Sequence, residues 1–364
     1  MSKMMIRGGD LDLVEYEFSP FCIGENIKTL GIDKRNFALK SDRNPVEVKV
    51  PARIHLSVLD MNRFAPERPG GGGLGFAISV YTTAVVECTD EKTEIDFSRK
   101  PIIKHFVEVF KKVTGYSGGF KICIRYHEKK HIGLGSTGSV MLAAGHAMNR
   151  AVGNPLTSEE IRLLIGCNYV EETTDGRIIR GFETGVGPAA ATYGGMAVMG
   201  DDLTLVYHSV FAENENVYII MPPTSADSAG EEEFRLLMNR ARVLDYRDRE
   251  LKAYMILMDL IPALKKKDLK KIGDIMWEID FRGSKRAEVE HNSFEIYHYM
   301  SRLKETGLEF VGMSSVGPSI AVITKKGRCE VEKIAKDIGL EIALETKTDN
   351  VGIRFIENSP DKAT

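Results

Sequence analysis

Lys130-His131-Ile132-Gly133-Leu134-Gly135-Ser136-Thr137-Gly138-Ser139, running on into Val140-Met141-Leu142-Ala143-Ala144-Gly145, is the stretch from which the architecture of this chain follows. Glycines and hydroxyls feed directly into an apolar helical pattern. The open backbone N–H groups of the first turn and the positive end of the helix dipole therefore converge on one point, and that point suits a phosphate. Upstream, Gly119 to Tyr126 reads as a strand, and Ser136 to Ala151 reads as a buried helix. Strand, glycine-rich turn and helix, in that order, are what a phosphate cradle needs. Gly133, Leu134, Gly135, Ser136, Thr137, Gly138 and Ser139 would wrap a pyrophosphate, with hydroxyls adding bonds and Ser136 and Ser139 placed to reach a Mg2+ that shields its charge. The competing explanation is a helix start whose glycines merely allow tight packing against the strand.

Working outward, Val46 to Val50 alternates, Ile54 to Leu59 follows, and Gly75 to Glu87 is long and β-branched, so all three read as strands. Helices are expected over Pro101–Val113 and from Thr157, whose polar cap and first-turn Glu159 and Glu160 favour initiation. Thr184 to Gly195 is a second run of small residues, implying close backbone approach. Asn216 to Pro223 opens a second unit. Helical patterns follow over Glu231–Leu244, Arg249–Lys265, Leu269–Asp280 and Ser293–Thr306. The turn Ser314-Ser315-Val316-Gly317-Pro318 separates two strands, a helix is expected over Cys329–Ile338, and Ile342–Thr346 and Gly352–Ile356 fit edge strands. The chain is thus α+β, divided into an extension over 1–45, a phosphate-binding unit over 46–210 and a second unit over 211–364.

At 364 residues the chain has room for two cores. A net charge of −3 lacks the basic excess that binding duplex phosphates requires, so nucleic acid is not an expected partner. The five cysteines are odd in number, scattered and without a CxxC pair, which argues against a disulfide framework or structural zinc and for a reducing compartment. No apolar run approaches a membrane span, and the N-terminus lacks the apolar core of a signal peptide. A cytoplasmic protein acting on small molecules is expected.

Alternation places Arg53, His55 and Ser57 on one strand face. Arg53 is suited to a phosphate or carboxylate fork, and His55 to hydrogen bonding or acid/base work. Asp60 and Asn62, at the strand end, could touch ribose hydroxyls or a metal, or cap the following loop. A small-molecule kinase often needs a carboxylate base near the second small-residue loop. Thr184 and Gly185 offer none, leaving Glu183 and the cluster Glu171, Glu172 and Asp175. His127, His131 and His291 lack metal-ligand spacing, and Lys265-Lys266-Lys267 with Lys270-Lys271 fits a solvated helical face.

Together these blocks resemble the GHMP kinase superfamily. Pro51-Ala52-Arg53-Ile54-His55, the Gly133–Ser139 loop and Gly312-Met313-Ser314-Ser315-Val316-Gly317-Pro318 occur in the order of its three motifs. The finer resemblance is to the archaeal β-ribofuranosylaminobenzene 5′-phosphate synthases of methanopterin biosynthesis. Their RIHxxLIDLNG, DGGIGLAL, HVGLGSGTQ, SGIG and QSSxGPTVY blocks are similar to segments beginning at Arg53, Gly71, His131, Thr184 and Met313. Arg63 stands where that family has a glycine, and Thr137-Gly138-Ser139 replaces its Gly-Thr-Gln. The resemblance implies a two-domain GHMP-kinase-like fold, with a ribosomal-protein-like α/β domain followed by a ferredoxin-like α+β domain and the site between them. It implies catalytic roles for Arg53, His55 and Asp60. It also implies substrate contacts from Asn62, Gly72, Gly73, Thr184, Gly185, Gly187, Ser314, Ser315 and Gly317. The implied reaction joins phosphoribosyl pyrophosphate to 4-aminobenzoate or its 4-hydroxy analogue, losing CO2 and pyrophosphate with Mg2+ as cofactor. An ATP-dependent kinase of a small alcohol or sugar is the alternative, and a binding protein that has lost turnover is a third class. A homodimer is expected by analogy.

Overall fold

The computed structural model describes residues 2–7, 13–65, 68–126, 134–173, 175–223, 236–292 and 294–356. The chain opens with an antiparallel hairpin, β1 (Ser2–Arg7) and β2 (Leu13–Phe18). Residues 19–45 then cross the outside of the first unit. There Phe21 and Ile32 enter its core, the Lys28 N–H donates to Asn168 Oδ1 at 2.8 Å, and the Lys40 N–H donates to the Val152 carbonyl. The expected extension is thus packed as an added layer.

Two long strands, β3 (Val46–Val58) and β4 (Gly73–Thr89), form the spine of the first sheet. Sequence reading split β3 at Pro51, but the strand runs through it. Its ladder with β4 slips register between Pro51 and Ala52, where proline has no N–H to contribute. Before the slip, Val48 and Val50 join the core under the helices; after it, Ala52, Ile54 and Leu56 join a different core facing the second unit. The change of partner leaves Arg53 and His55 on the side of the glycine-rich turns.

β5 (Glu94–Asp96), α1 (Lys100–Thr114), β6 (Gly119–Arg125), α2 (Ser136–Ala151) and α3 (Ser158–Cys167) follow, with a Thr157–Glu160 capping box starting α3. Next come the short hairpin β7 (Val170–Glu172) and β8 (Ile178–Arg180), then α4 (Val186–Tyr193), β9 (Met196–Met199) and β10 (Leu205–Ser209). Sequence reading left Val186–Tyr193 as a loop. Its alanines and small apolar residues instead make a helix, whose short side chains let it lie against β4 and β9 with Val186, Ala189 and Ala190 buried on Ala77, Ala197 and Met199.

The second unit is β11 (Asn216–Ile220), a helical run, β12 (Phe310–Met313), β13 (Ile320–Thr324), a helix and β14 (Ile342–Thr346). Its four strands are antiparallel in the order β12-β13-β11-β14, a ferredoxin-like arrangement. The helical run comprises α5 (Arg242–Met255), α6 (Ile261–Lys265), α7 (Leu269–Asp280), α8 (Gly283–Asn292) and α9 (Phe294–Glu305), and α10 (Arg328–Ile338) precedes β14. Two π-helical turns, Leu237–Ala241 and Ile256–Leu260, join the segments around α5 into one continuous rod, where two separate helices were expected. α8 was not anticipated: Gly283-Ser284-Lys285-Arg286-Ala287-Glu288 shows charges rather than an apolar stripe, because the side it buries is itself charged. Among the described residues no helix is long and apolar enough to cross a membrane.

The units are not separate along the chain. β15 (Arg354–Ile356) returns to the first sheet and pairs with Lys49, Val48 and Glu47 of β3. One core also spans both sheets, with Phe76 of β4 edge-on to Phe211 and Phe310 at centroid distances of 5.1 and 6.4 Å.

Candidate active site

Arg53 stands where two helices begin. At Gly135, the cap of α2, φ is +67°, and a β-carbon there would lie 2.7 Å from the Arg53 guanidinium carbon. Only glycine accepts both the backbone conformation and the close approach. The start of α4 closes the other side, with Arg53 Nε 3.6 Å from where a β-carbon on Gly187 would stand. The Arg53 N–H also donates to the Leu134 carbonyl at 3.3 Å, tying β3 to the turn. A guanidinium and two helix N-termini thus meet at one place, the electrostatic pattern for a polyanion.

Gly133 and His131 lie outside the described residues, as does the side chain of Ser136. The Thr137 hydroxyl accepts from Arg99 Nη1 at 2.8 Å and lies 3.5 Å from Glu171 Oε2. Arg99 itself is braced by Glu171 at 2.5 Å and Glu172 at 3.2 Å, both from β7. Ser139 Oγ sits 3.1 Å from Thr82 Oγ1, buried between α2 and β4. Thr137 rather than Ser139 therefore presents its hydroxyl beside a carboxylate. Apart from its chain neighbours and the nearby backbone of its own helix, no atom of a described residue lies within 4 Å of a β-carbon built on Gly138, in the first turn of α2.

His55 is buried, and its Nε2 lies 3.4 Å from Thr184 Oγ1. Burial, reinforced by Arg53 and Lys285, holds its pKa well below the usual imidazole value, so the ring is neutral at pH 7. The His55 carbonyl accepts the Ser315 N–H at 2.7 Å, which places the Ser314–Gly317 turn of the second unit against the β3 site strand. Lys285 Nζ, on α8, donates to the Ser315 carbonyl at 2.7 Å and pairs with Glu288 at the same distance, both charged side chains being buried. Gly73 fits the same wall, since a β-carbon there would meet the Ser57 carbonyl at 2.5 Å. Gly72 likewise lies against the carbonyls of Met199 and Gly200, and Gly185 caps α4 at φ +87°.

Asp60 and Asn62 face the neighbouring turn. Asp60 Oδ1 accepts the N–H of Asn62 at 2.9 Å and its side-chain amide at 2.8 Å, Arg249 approaches Oδ2 at 3.6 Å, and the Asn62 amide donates to the Arg242 carbonyl. This is the loop-capping geometry. Sequence reasoning missed the buried charges behind the site: Asp245 with Lys252, Lys285 with Glu288, and Asp280, whose carboxyl burial pushes up to about 8. A Lys or Asp in a helical pattern ordinarily signals a wet surface, so nothing marked them.

Residues 101–195 match the GHMP kinases N terminal domain. Among solved structures, homoserine kinase from Cytophaga hutchinsonii covers 88% of this chain and 100% of its own at 15% identity and a TM-score of 0.62. Mevalonate diphosphate decarboxylase from Staphylococcus aureus covers 86% of this chain and 98% of its own at 14% identity, also with a TM-score of 0.62. The chain has the GHMP fold, which hosts both kinases and decarboxylases. In sequence, it is similar to the β-ribofuranosylphenol 5′-phosphate synthase of Archaeoglobus fulgidus, at 26% identity over 83% of this chain and 95% of the relative. The synthase of the same name from Methanothermobacter thermautotrophicus is 24% identical over 76% of this chain and 88% of its own. These relatives favour the synthase expectation over the kinase alternative.

Proposed function

We propose that this chain is a phosphoribosyl-transferring, decarboxylating synthase that condenses phosphoribosyl pyrophosphate with a 4-substituted benzoate, releasing CO2 and pyrophosphate. The observation that supports it most is the Arg53 guanidinium set against the starts of both α2 and α4. The phenol in the relatives' name favours 4-hydroxybenzoate as acceptor over 4-aminobenzoate.

The chemistry needs little beyond electrostatics. The bond from the anomeric carbon to the pyrophosphate oxygen breaks, and its electron pair leaves with the pyrophosphate. The ring carbon that bears the carboxylate supplies the pair for the new C–C bond. The pair of the bond to the carboxylate then returns to the ring as CO2 departs, so no oxidant or net proton is required. Arg53 and the helix N-termini stabilise the departing charge. Neutral His55 and Thr184 offer hydrogen bonds rather than another cation. Thr137 Oγ1 and Glu171 Oε2, the hard oxygens at the start of α2, are both engaged by Arg99, so Mg2+ would arrive on the phosphate oxygens rather than on this pair. When bound, it would neutralise phosphate charge.

Incubation with phosphoribosyl pyrophosphate, 4-hydroxybenzoate and Mg2+, without ATP, is expected to yield one pyrophosphate per acceptor consumed. ADP formed from ATP and a small alcohol, with no pyrophosphate in the first assay, would instead mark a kinase.

A further inference from the structure

Glu183, beside Arg53, is a buried carboxyl with no part in binding a pyrophosphate; its charge opposes one. It is 8% exposed and fixed, with Oε1 accepting the Gly185 N–H at 2.7 Å. Its Oε2 lies 3.9 Å from the position of a β-carbon on Gly187, the same point that Arg53 Nε approaches to 3.6 Å. A cation and a carboxyl thus flank one bare glycine at the start of α4. We infer that the Glu183 carboxylate faces the anomeric carbon and stabilises the positive charge that develops there as pyrophosphate, held by Arg53, departs. This rests on the proposed synthase reaction.

The placement follows from the substrate's connectivity. The leaving oxygen and the anomeric carbon are bonded, so with Arg53 on the phosphate that carries the leaving oxygen, a carboxyl flanking the same glycine stands beside the sugar carbon. The acceptor's hydroxyl lies across the ring from the attacked carbon and so away from it. Glu183 forms no bond and passes no proton; it acts by charge, which is worth most in a site closed to water.

The charged and titratable groups facing Glu183 are Arg53 from β3, Arg162 from α3 and Tyr169 just before β7, together with the N–H groups of Thr184 and Gly185. Burial outweighs the arginines and N–H groups, leaving its pKa at about 7. The ionised form is the effective one. Activity should therefore fall as pH drops through about 7 in the wild type and lose that limb in Glu183→Gln.

Glu183→Gln keeps an oxygen for the Gly185 N–H and removes only the charge. The expected result is a fall in kcat of about a hundredfold, an unchanged or lower KM for phosphoribosyl pyrophosphate and an unchanged Tm, with Glu183→Asp recovering part of the rate. Calorimetry with magnesium pyrophosphate at pH 8, which needs no turnover, should show binding at least as tight as in the wild type. A wild-type kcat in Glu183→Gln overturns the inference and leaves the synthase reaction standing. Weaker pyrophosphate binding with a lower Tm also overturns it, by making Glu183 structural. A wild-type protein that forms no product overturns the synthase reaction and this role with it.

Discussion

Arg53→Ala is expected to lower kcat/KM for phosphoribosyl pyrophosphate by about a hundred- to a thousandfold, the range for removing a donor aimed at developing charge. The position of Arg53 dictates the size. Its guanidinium is held between Gly135 and Gly187, and its backbone is tied to Leu134, so little ordering remains to be done when an anion arrives. Arg53→Lys should recover only part of the loss, since a point charge does not reproduce a planar fork. Removing Arg53 also withdraws a neighbouring cation that lowers the Glu183 pKa, so the acid limb of the pH profile should move to higher pH. Lys266→Ala, on the exposed cap of α6, serves as the control and should leave kcat/KM unchanged. Steady-state kinetics on the three variants checks this, and equal effects from Arg53 and Lys266 would remove Arg53 from the site.

Lys252→Met is expected to cost about 3–5 kcal/mol of stability, the usual penalty for leaving one partner of a buried ion pair uncompensated. Lys252 and Asp245 are both fully buried on α5 and in contact. Asp245 Oδ2 accepts the Met61 N–H at 2.9 Å and Oδ1 the Ser284 N–H at 2.6 Å, while Lys252 Nζ donates to the Val58 carbonyl at 3.0 Å. The pair thereby pins the end of β3, the turn after it and the start of α8 to one helix. Burial raises the Asp245 pKa, and Lys252 pulls it back down, so loss of the lysine leaves a carboxyl that must take up a proton. The double variant Asp245→Asn with Lys252→Met should regain much of the loss. Urea unfolding measures both, and a single variant with the wild-type midpoint would show that the pair holds nothing together.

How much of this was legible beforehand depended on how each residue signals. Alternation and β-branching exposed β3, β4 and the second sheet, and glycine followed by an apolar helix exposed the start of α2. The strand face of Arg53 and His55 was readable from alternation alone, because both lie beyond the register slip at Pro51. Val186–Tyr193 was not readable as a helix, since its small residues suit a loop equally well. Lys252, Lys285 and Asp245 were invisible because a buried charge and a solvated one look the same in a sequence; only the fold decides which is which. Asp60 carried two readings, and its bonds to Asn62 show it capping the turn after β3. Glu183 stood among several carboxylates as a kinase base, and its position beside Arg53 and Gly187 singles it out.

The central claim is a ribosyl transfer in which the acceptor loses its carboxyl group. The most direct measurement uses 4-hydroxybenzoate labelled in the carboxyl carbon, with phosphoribosyl pyrophosphate and Mg2+ and no ATP. A synthase releases labelled CO2 in equal amount to pyrophosphate, and omission of phosphoribosyl pyrophosphate abolishes it. Label that stays in the benzoate while the protein phosphorylates a small alcohol from ATP would contradict that claim.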